Sequence, residues 1–210
     1  MPLYKTITHN NTTSILIWKI AESLQELEDS TTLNERSQQR VDGMRSESHK
    51  KGFLAVRKLL ERAQLSDFDL FYTEDGKPHL KDGRQITISH SFEFSVIAIS
   101  NTAIGVDIEK NRDKIQRIAS KFIGQETQFL TKENLTEQLT VIWGAKESLF
   151  KIHPDGGLLF IEHLPIEAFH LNQNQTVGHI LKEPYNEQFN IYFDIFDGYT
   201  LVYATNETLD

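Results

Sequence analysis

The chain of 210 residues contains no cysteine. Disulfides, thiolate metal sites and cysteine nucleophiles are therefore excluded. It also has no run of about eighteen apolar residues, so no segment reads as a membrane-spanning helix. The opening Met1-Pro2-Leu3-Tyr4-Lys5 lacks the basic and then apolar order of a signal peptide, and a cytoplasmic location is expected. The phosphate-binding loops Gly-x-x-x-x-Gly-Lys-[Ser/Thr] and Gly-x-Gly-x-x-Gly are missing, as are His-Glu-x-x-His and Gly-x-Ser-x-Gly. The 8 histidines are scattered, with no metal-ligand spacing. Positive charge is scarce too, and a net charge of −8 argues against general nucleic-acid binding.

Charged residues at 25% and apolar residues at 39% are ordinary for a folded chain. The charge is uneven. From Arg112 to Lys121 there are four basic residues against one acidic, whereas from Lys182 onward there is one basic against six acidic. Residues 3–8 and 14–20 alternate as strands around a turn-rich 9–13, which predicts a hairpin. Residues 21–29, 33–42 and 46–63 read as helices, the last with Phe53, Val56, Leu59 and Leu60 at helical spacing. Asp75-Gly76 is a turn. Strands are expected around Ile86–Ile88 and at 94–100. Helices are expected at 113–123, 126–131 and 135–152, then a loop at 154–157, further short strands, and a final hairpin at 189–196 and 199–205. The segment 94–100 is echoed by 199–205, as two similar α+β halves would show. No linker separates the halves, so one compact unit is expected.

Two patches carry the chemistry. In Gly105-Val106-Asp107-Ile108-Glu109, apolar residues alternate with the carboxylates, so Asp107 and Glu109 share one face of a strand. In Trp143-Gly144-Ala145-Lys146-Glu147-Ser148-Leu149-Phe150-Lys151, Glu147 and Lys151 stack at i,i+4 on a helix. Trp143 and Phe150, two turns apart, are expected to anchor that helix to the core. With the helix packed over the strand end, three carboxylates and a lysine converge. Hard cations such as Mg²⁺ prefer carboxylate and phosphate oxygens, and a lysine prefers phosphate charge. The pattern suggests a magnesium-dependent site acting on a phosphate ester. Alone, each patch is also compatible with a solvated strand face or a surface ion pair.

The two patches, in this order and spacing, resemble the signature of the 4′-phosphopantetheinyl transferases, Gly-x-Asp-x-Glu followed by Trp-x-x-Lys-Glu-[Ser/Ala]-x-x-Lys. Upstream, Gly76-Lys77-Pro78 and Ile88-Ser89-His90-Ser91 resemble the family's Gly-Lys-Pro and Ile-Ser-His-Ser segments. One departure is the stretch Pro154-Asp155-Gly156-Gly157-Leu158, where related chains often carry Gly-x-Gly-[Leu/Phe].

The resemblance implies the larger, monomeric branch. Its fold is α+β, with two similar halves in a pseudo-twofold arrangement. The expected division is 1–103 for coenzyme A contacts and 104–210 for the metal and catalytic motifs. The implied activity moves the 4′-phosphopantetheine arm of coenzyme A to a serine of an apo carrier protein, acyl or peptidyl, and releases adenosine 3′,5′-bisphosphate. Asp107, Glu109 and Glu147 are implied as Mg²⁺ ligands. Glu147 and Lys151 are implied as catalytic, with Glu109 or a water as the alternative proton acceptor. Lys77, Ser89, His90 and Lys151 are implied coenzyme contacts, His90 at the phosphates and Lys77 at the 3′-phosphate. Lys50 and Arg57 on the helix at 46–63 join them, although a solvated basic face is an equal reading there. The basic residues Lys114, Arg117 and Lys121, beside an apolar stripe of Ile115, Ile118 and Phe122, are expected to meet an acidic carrier. A non-catalytic carrier-binding homologue and a coenzyme A diphosphate hydrolase are the rival readings.

Overall fold

The structure is a computed structural model that describes residues 3–154 and 156–207. Asp155, in the expected loop at 154–157, lies outside the described residues, as do Met1 and Pro2. The chain forms two compact units, Met1–Asn101 and Thr102–Asp210.

The first unit opens with the expected hairpin, β1 (Leu3–His9) and β2 (Thr13–Lys19). Its helix α1 (Leu24–Asp29) starts at a capping box, in which Ser23 and Glu26 each satisfy the other's backbone N–H. The helix α2 (Glu35–Gly43) is capped by Asn34. The longer α3 (Glu47–Arg62) buries Phe53, Val56, Leu59 and Leu60, the stripe read from spacing. A ribbon of β3 (Leu70–Tyr72) and β4 (Pro78–Leu80) follows. Sequence reading did not find it, because three residues are too few to show alternation. The strands β5 (Gln85–Ser91) and β6 (Phe94–Ser100) complete a sheet of order β1-β2-β6-β5. Leu16, Trp18, Ile97 and Ile99 of that sheet share a core with Leu54, Leu59 and Leu60 of α3.

The second unit contains β7 (Ile104–Lys110), α4 (Lys114–Ile118), α5 (Leu135–Ile152), α6 (Phe160–His163), β8 (Gln175–Lys182), β9 (Tyr185–Phe196) and β10 (Tyr199–Thr205). Its sheet order is β7-β10-β9-β8. The echo seen in the sequence has a topological basis. Strand, helix and hairpin recur as β2, α3, β5, β6 and as β7, α5, β9, β10. In each case the last strand pairs antiparallel with the first. Both echo strands, β6 and β10, are buried along their whole length.

Three helical expectations need correction. The segment 113–123 is not one helix: α4 ends at Ile118 and gives way to a 3₁₀ turn at Ala119–Lys121. The tighter turn carries Phe122 into the core, fully buried. Residues 126–131 likewise form a 3₁₀ turn, Gln125–Phe129. Phe150 does not anchor α5, being 36% exposed. Trp143 is half-buried, with its ring 5.1 Å from Phe122 and 5.4 Å from Phe160. The anchors are instead Leu139, Ile142, Ala145 and Leu149.

The helix α5 lies against β7 and β10 at a distance that only glycine permits. A Cβ added to Gly105 would fall 1.9 Å from the Ser148 carbonyl oxygen, and one on Gly144 would fall 2.7 Å from Val202 Cγ2. The first clash is with backbone, so no rotamer relieves it. Gly105→Ala is expected to lower Tm by about 6–12 °C, since overpacking a tight contact costs on the order of 3 kcal/mol. Gly43→Ala, with nothing within 4 Å of the added carbon, should leave Tm unchanged or slightly higher. Equal melting temperatures for the two variants would refute the contact.

Candidate active site

The strand β7 sets three residues in a row on the face that meets α5: Gly105, Asp107 and Glu109. Gly105 admits the helix, and its partners at i+2 and i+4 then lie along the helix flank. Asp107 is opposite Val202 in β10, and Glu109 is opposite Thr200. Asp107 is only 4% exposed, while Glu109 is half-buried. A carboxylate that deep needs compensation. It comes from Lys151, whose Nζ donates to Asp107 Oδ1 at 2.9 Å and to the Val106 carbonyl at 2.8 Å. One turn earlier on the same helix face sits Glu147, half-buried. Burial pushes its carboxyl up to about 7; the charge on Asp107 adds to the rise, Lys151 opposes it, and Glu109 adds a smaller rise.

Asp107, Glu147 and Lys151 are thus brought together, with Glu109 within electrostatic range. Among the described residues, no three metal-binding side chains already enclose a common point. The donor set nevertheless fits a hard divalent cation. It is all carboxylate oxygen, and a cation would relieve the repulsion from Asp107 and Glu109 that adds to the effect of burial on Glu147. Beside Glu109 lies a hollow of about 200 Å³. Ile115, Ile118 and Trp143 form its apolar part, and Lys110, Arg112 and Lys114 its cationic part.

The remaining sequence candidates lie in the first unit. Lys77 follows Gly76, which holds a φ of 84° in the turn between β3 and β4. That turn is closed by Thr73 N–H on the Lys77 carbonyl at 3.1 Å. Ser89 and His90 are near the end of β5, opposite Val96 and Ser95. The His90 ring packs on α3 where Gly52 has no side chain; an added Cβ there would be 3.2 Å from His90 Cγ. His49, on the first turn of α3, has its ring 6.0 Å from that of His90. Lys50 follows it on the same turn, half-buried.

Arg57 corrects an expectation. It is 2% exposed, lies 3.4 Å over the Phe53 ring, and donates through Nε to Asp67 Oδ1 at 2.9 Å and through Nη2 to Ser37 Oγ at 3.2 Å. Its fork is spent inside the first unit, joining α2, α3 and the turn at Asp67, and it is not available to a nucleotide. The sequence offers it either as a nucleotide contact, by resemblance, or as part of a solvated basic face with His49, Lys50 and Lys51, and neither holds. Arg57 lies within about 20° of Lys50 around the helix, but two turns further on, where Asp67 and Ser37 cover that side.

Lys146 belongs to the motif but sequence reading gives it no role, and Glu126 is not singled out there; the two form a buried ion pair at 2.7 Å. Burial pulls the Lys146 ammonium below its ordinary value, and the bond to Glu126 acts in the opposite sense. A signal was present. Leu139, Ile142, Lys146 and Leu149 recur at helical spacing, so a charge stands within an apolar stripe.

Comparison with known proteins is consistent with this geometry. Residues 103–204 match the profile of the 4′-phosphopantetheinyl transferase superfamily. The 4′-phosphopantetheinyl transferase gsp of Aneurinibacillus migulanus is 31% identical over 157 residues, which span 70% of this chain and 64% of gsp. The 4′-phosphopantetheinyl transferase Sfp of Bacillus subtilis (strain 168) is 27% identical, over 71% of this chain and 70% of Sfp. The 4′-phosphopantetheinyl transferase ffp of Bacillus subtilis is 29% identical over the same shares. The chain thus spans a little under two thirds of the length of gsp.

The crowding at Glu147 has a measurable sign. An acid with a raised folded-state pKa binds more protons folded than unfolded, so its contribution to stability falls as pH rises from 4.5 to about 7. Glu147→Gln removes that loss. In chelator, the variant is expected to melt about 3–6 °C above the parent at pH 8 and level with it near pH 4.5, the gain being trimmed by solvent screening. A difference that does not change with pH would show that Glu147 is not crowded.

Proposed function

We propose, from the premise that the chain belongs to the 4′-phosphopantetheinyl transferase superfamily, that it transfers the phosphopantetheine arm of coenzyme A to a serine of an apo carrier protein. The observation that carries the proposal is the meeting of Asp107, Glu147 and Lys151 between β7 and α5, at the motif positions. The attacking group is an alcohol and the electrophile a diphosphate that is already anionic. A bond forms from the serine oxygen to the phosphorus that bears the arm. The bond from that phosphorus to the bridging oxygen breaks, and adenosine 3′,5′-bisphosphate leaves. Magnesium held by Asp107, Glu109 and Glu147 would supply charge neutralisation and orientation of the diphosphate.

The chain's own groups do the rest. Glu147, one helical turn from Lys151 and facing Asp107, is proposed to accept the serine proton, directly or through a water, with Glu109 or a water as the alternative acceptor. Lys151 has three N–H donors and uses two on Asp107 and Val106. The third is available to a phosphate oxygen, where charge grows as the leaving group departs. Lys77, Ser89 and His90 are proposed contacts of the coenzyme phosphates, and Lys50 a further one. A monomeric, cytoplasmic enzyme completes the reading.

The carrier is proposed to dock beside the hollow at Glu109. Lys114, Arg117 and Lys121 are exposed there, while Ile115 and Ile118 pack inward, half-buried. In a chain of net charge −8 this local positive edge suits an acidic partner.

Mass spectrometry of an apo carrier incubated with coenzyme A and Mg²⁺ tests the activity. The expected result is gain of the arm on serine, lost in Asp107→Ala and in Glu147→Ala. Cleaved coenzyme with unmodified carrier would mean a hydrolase instead, and neither change would mean a binding protein. For docking, Arg117→Glu with Lys121→Glu is expected to raise the carrier KM about tenfold at low salt and leave coenzyme A binding unchanged. The defect should shrink as salt screens the charges. A wild-type carrier KM at low salt would place docking elsewhere.

A further inference from the structure

Lys146 is 0% exposed and Glu126 1%. Lys146 Nζ meets Glu126 Oε1 at 2.7 Å and donates to the carbonyl oxygens of Phe122 at 2.7 Å and Phe160 at 3.0 Å. Those three partners saturate an ammonium. Glu126 accepts in turn from the backbone N–H of Gly124 at 2.7 Å and of Ile166 at 3.2 Å. One ion pair therefore ties four pieces of irregular chain to α5. They are the end of the 3₁₀ turn at Phe122, the bend at Gly124, the start of α6, and the approach to β8 at Ile166.

Stability does not account for the pair. A buried ion pair replaced by well-packed apolar side chains is often neutral or more stable, because desolvation offsets the attraction. The rest of this helix stripe is apolar, and a leucine or methionine would suit it. What the charges supply is direction. They satisfy two carbonyls and two N–H groups, at Phe122, Phe160, Gly124 and Ile166, on segments that lie between the longer helix and strands. The segment ending at Phe122 is the one that exposes Lys114, Arg117 and Lys121, and the residue after Lys146 is Glu147.

We propose that the Lys146–Glu126 pair is a positioning device for the carrier. It fixes the basic segment 114–122 and α6 at one height along α5, so that a docked serine arrives at Glu147 and Lys151. This rests on the transferase reading, and Lys146 and Glu126 are positioning residues, acting through the segments that they hold.

The test is Glu126→Gln with Lys146→Met, which removes both charges and nearly keeps the volume. The double variant is expected to melt within about 5 °C of the parent and to bind coenzyme A within about twofold, while carrier KM rises about fivefold or more and kcat changes less than about twofold. Amide hydrogen exchange should quicken at 119–126 and 160–166 while 143–151 stays protected. An unchanged carrier KM in the folded double variant overturns the proposal. A loss of coenzyme A affinity as large as the rise in KM overturns it too, because α5 itself has then moved. Glu126→Met with Lys146→Leu, a second charge-free pair, covers the case in which the first double variant does not fold; it should also raise carrier KM about fivefold or more, and a wild-type value overturns the proposal. If the parent loads no carrier, the transferase reading fails, and exchange alone decides: unchanged protection at 119–126 and 160–166 overturns the positioning role.

Discussion

The site depends on one short contact, the passage of Ser148 over Gly105. The Ser148 carbonyl lies where a Cβ on residue 105 would be, so the backbones of α5 and β7 touch. Everything chemical follows from that proximity. Asp107 lies next along the same strand face, and a helix at this distance brings Lys151 onto its Oδ1. Gly144 repeats the device one turn earlier, where an added Cβ would fall 2.7 Å from Val202 Cγ2 and 3.6 Å from Asp107 Oδ2. With ordinary side chains at 105 and 144, α5 would stand off the sheet by roughly the extra ångströms of a packed methyl. The ion pair between Lys151 and Asp107 would then open into solvent, where such pairs contribute little.

Proximity creates an electrostatic problem that α5 solves by dividing its faces. Lys146 and Glu147 are adjacent in sequence and point about 100° apart around the helix. Lys146 enters the core and is neutralised by Glu126 and two carbonyls. Glu147 faces Asp107 with only Lys151 to balance two acids, and its carboxyl is left near 7. The first arrangement is complete within the chain. The second is under-compensated, which is the condition expected of a group that awaits a cation or a proton.

Much of this was legible in the sequence because it rests on local periodicity. Period two across 104–110 placed Asp107 and Glu109 on one face, and helical spacing placed Glu147 above Lys151. The limits of α5 were found to the residue, since 135–152 is long and strongly patterned. What failed to show depends on partners distant in sequence. Arg57 looked like a surface cation because its acceptors, Asp67 and Ser37, lie on other elements. The break of the helix at 118 follows from the demand that Phe122 be buried and that its carbonyl meet Lys146. Phe150 falls on the same stripe as Trp143, yet that stripe borders the core instead of entering it. The ribbon of β3 and β4 was too short for any period to register.

The shared strand–helix–hairpin topology shows why one unit holds paired carboxylates and the other does not. In the second unit glycines stand on both sides of the helix crossing, Gly105 on the strand and Gly144 on the helix, so the helix backbone descends and the strand's next inward residue, Asp107, is sealed beneath it. In the first unit the glycine is on the helix. Gly52 accepts the ring of His90 from the strand and gives its carbonyl to Ser95 Oγ at 3.1 Å. There a side chain fills the gap, and the strand end keeps an exposed histidine with its ring near that of His49. The same topology thus carries a buried acid at the crossing where strand and helix both have glycine, and an exposed histidine at the crossing where only the helix does.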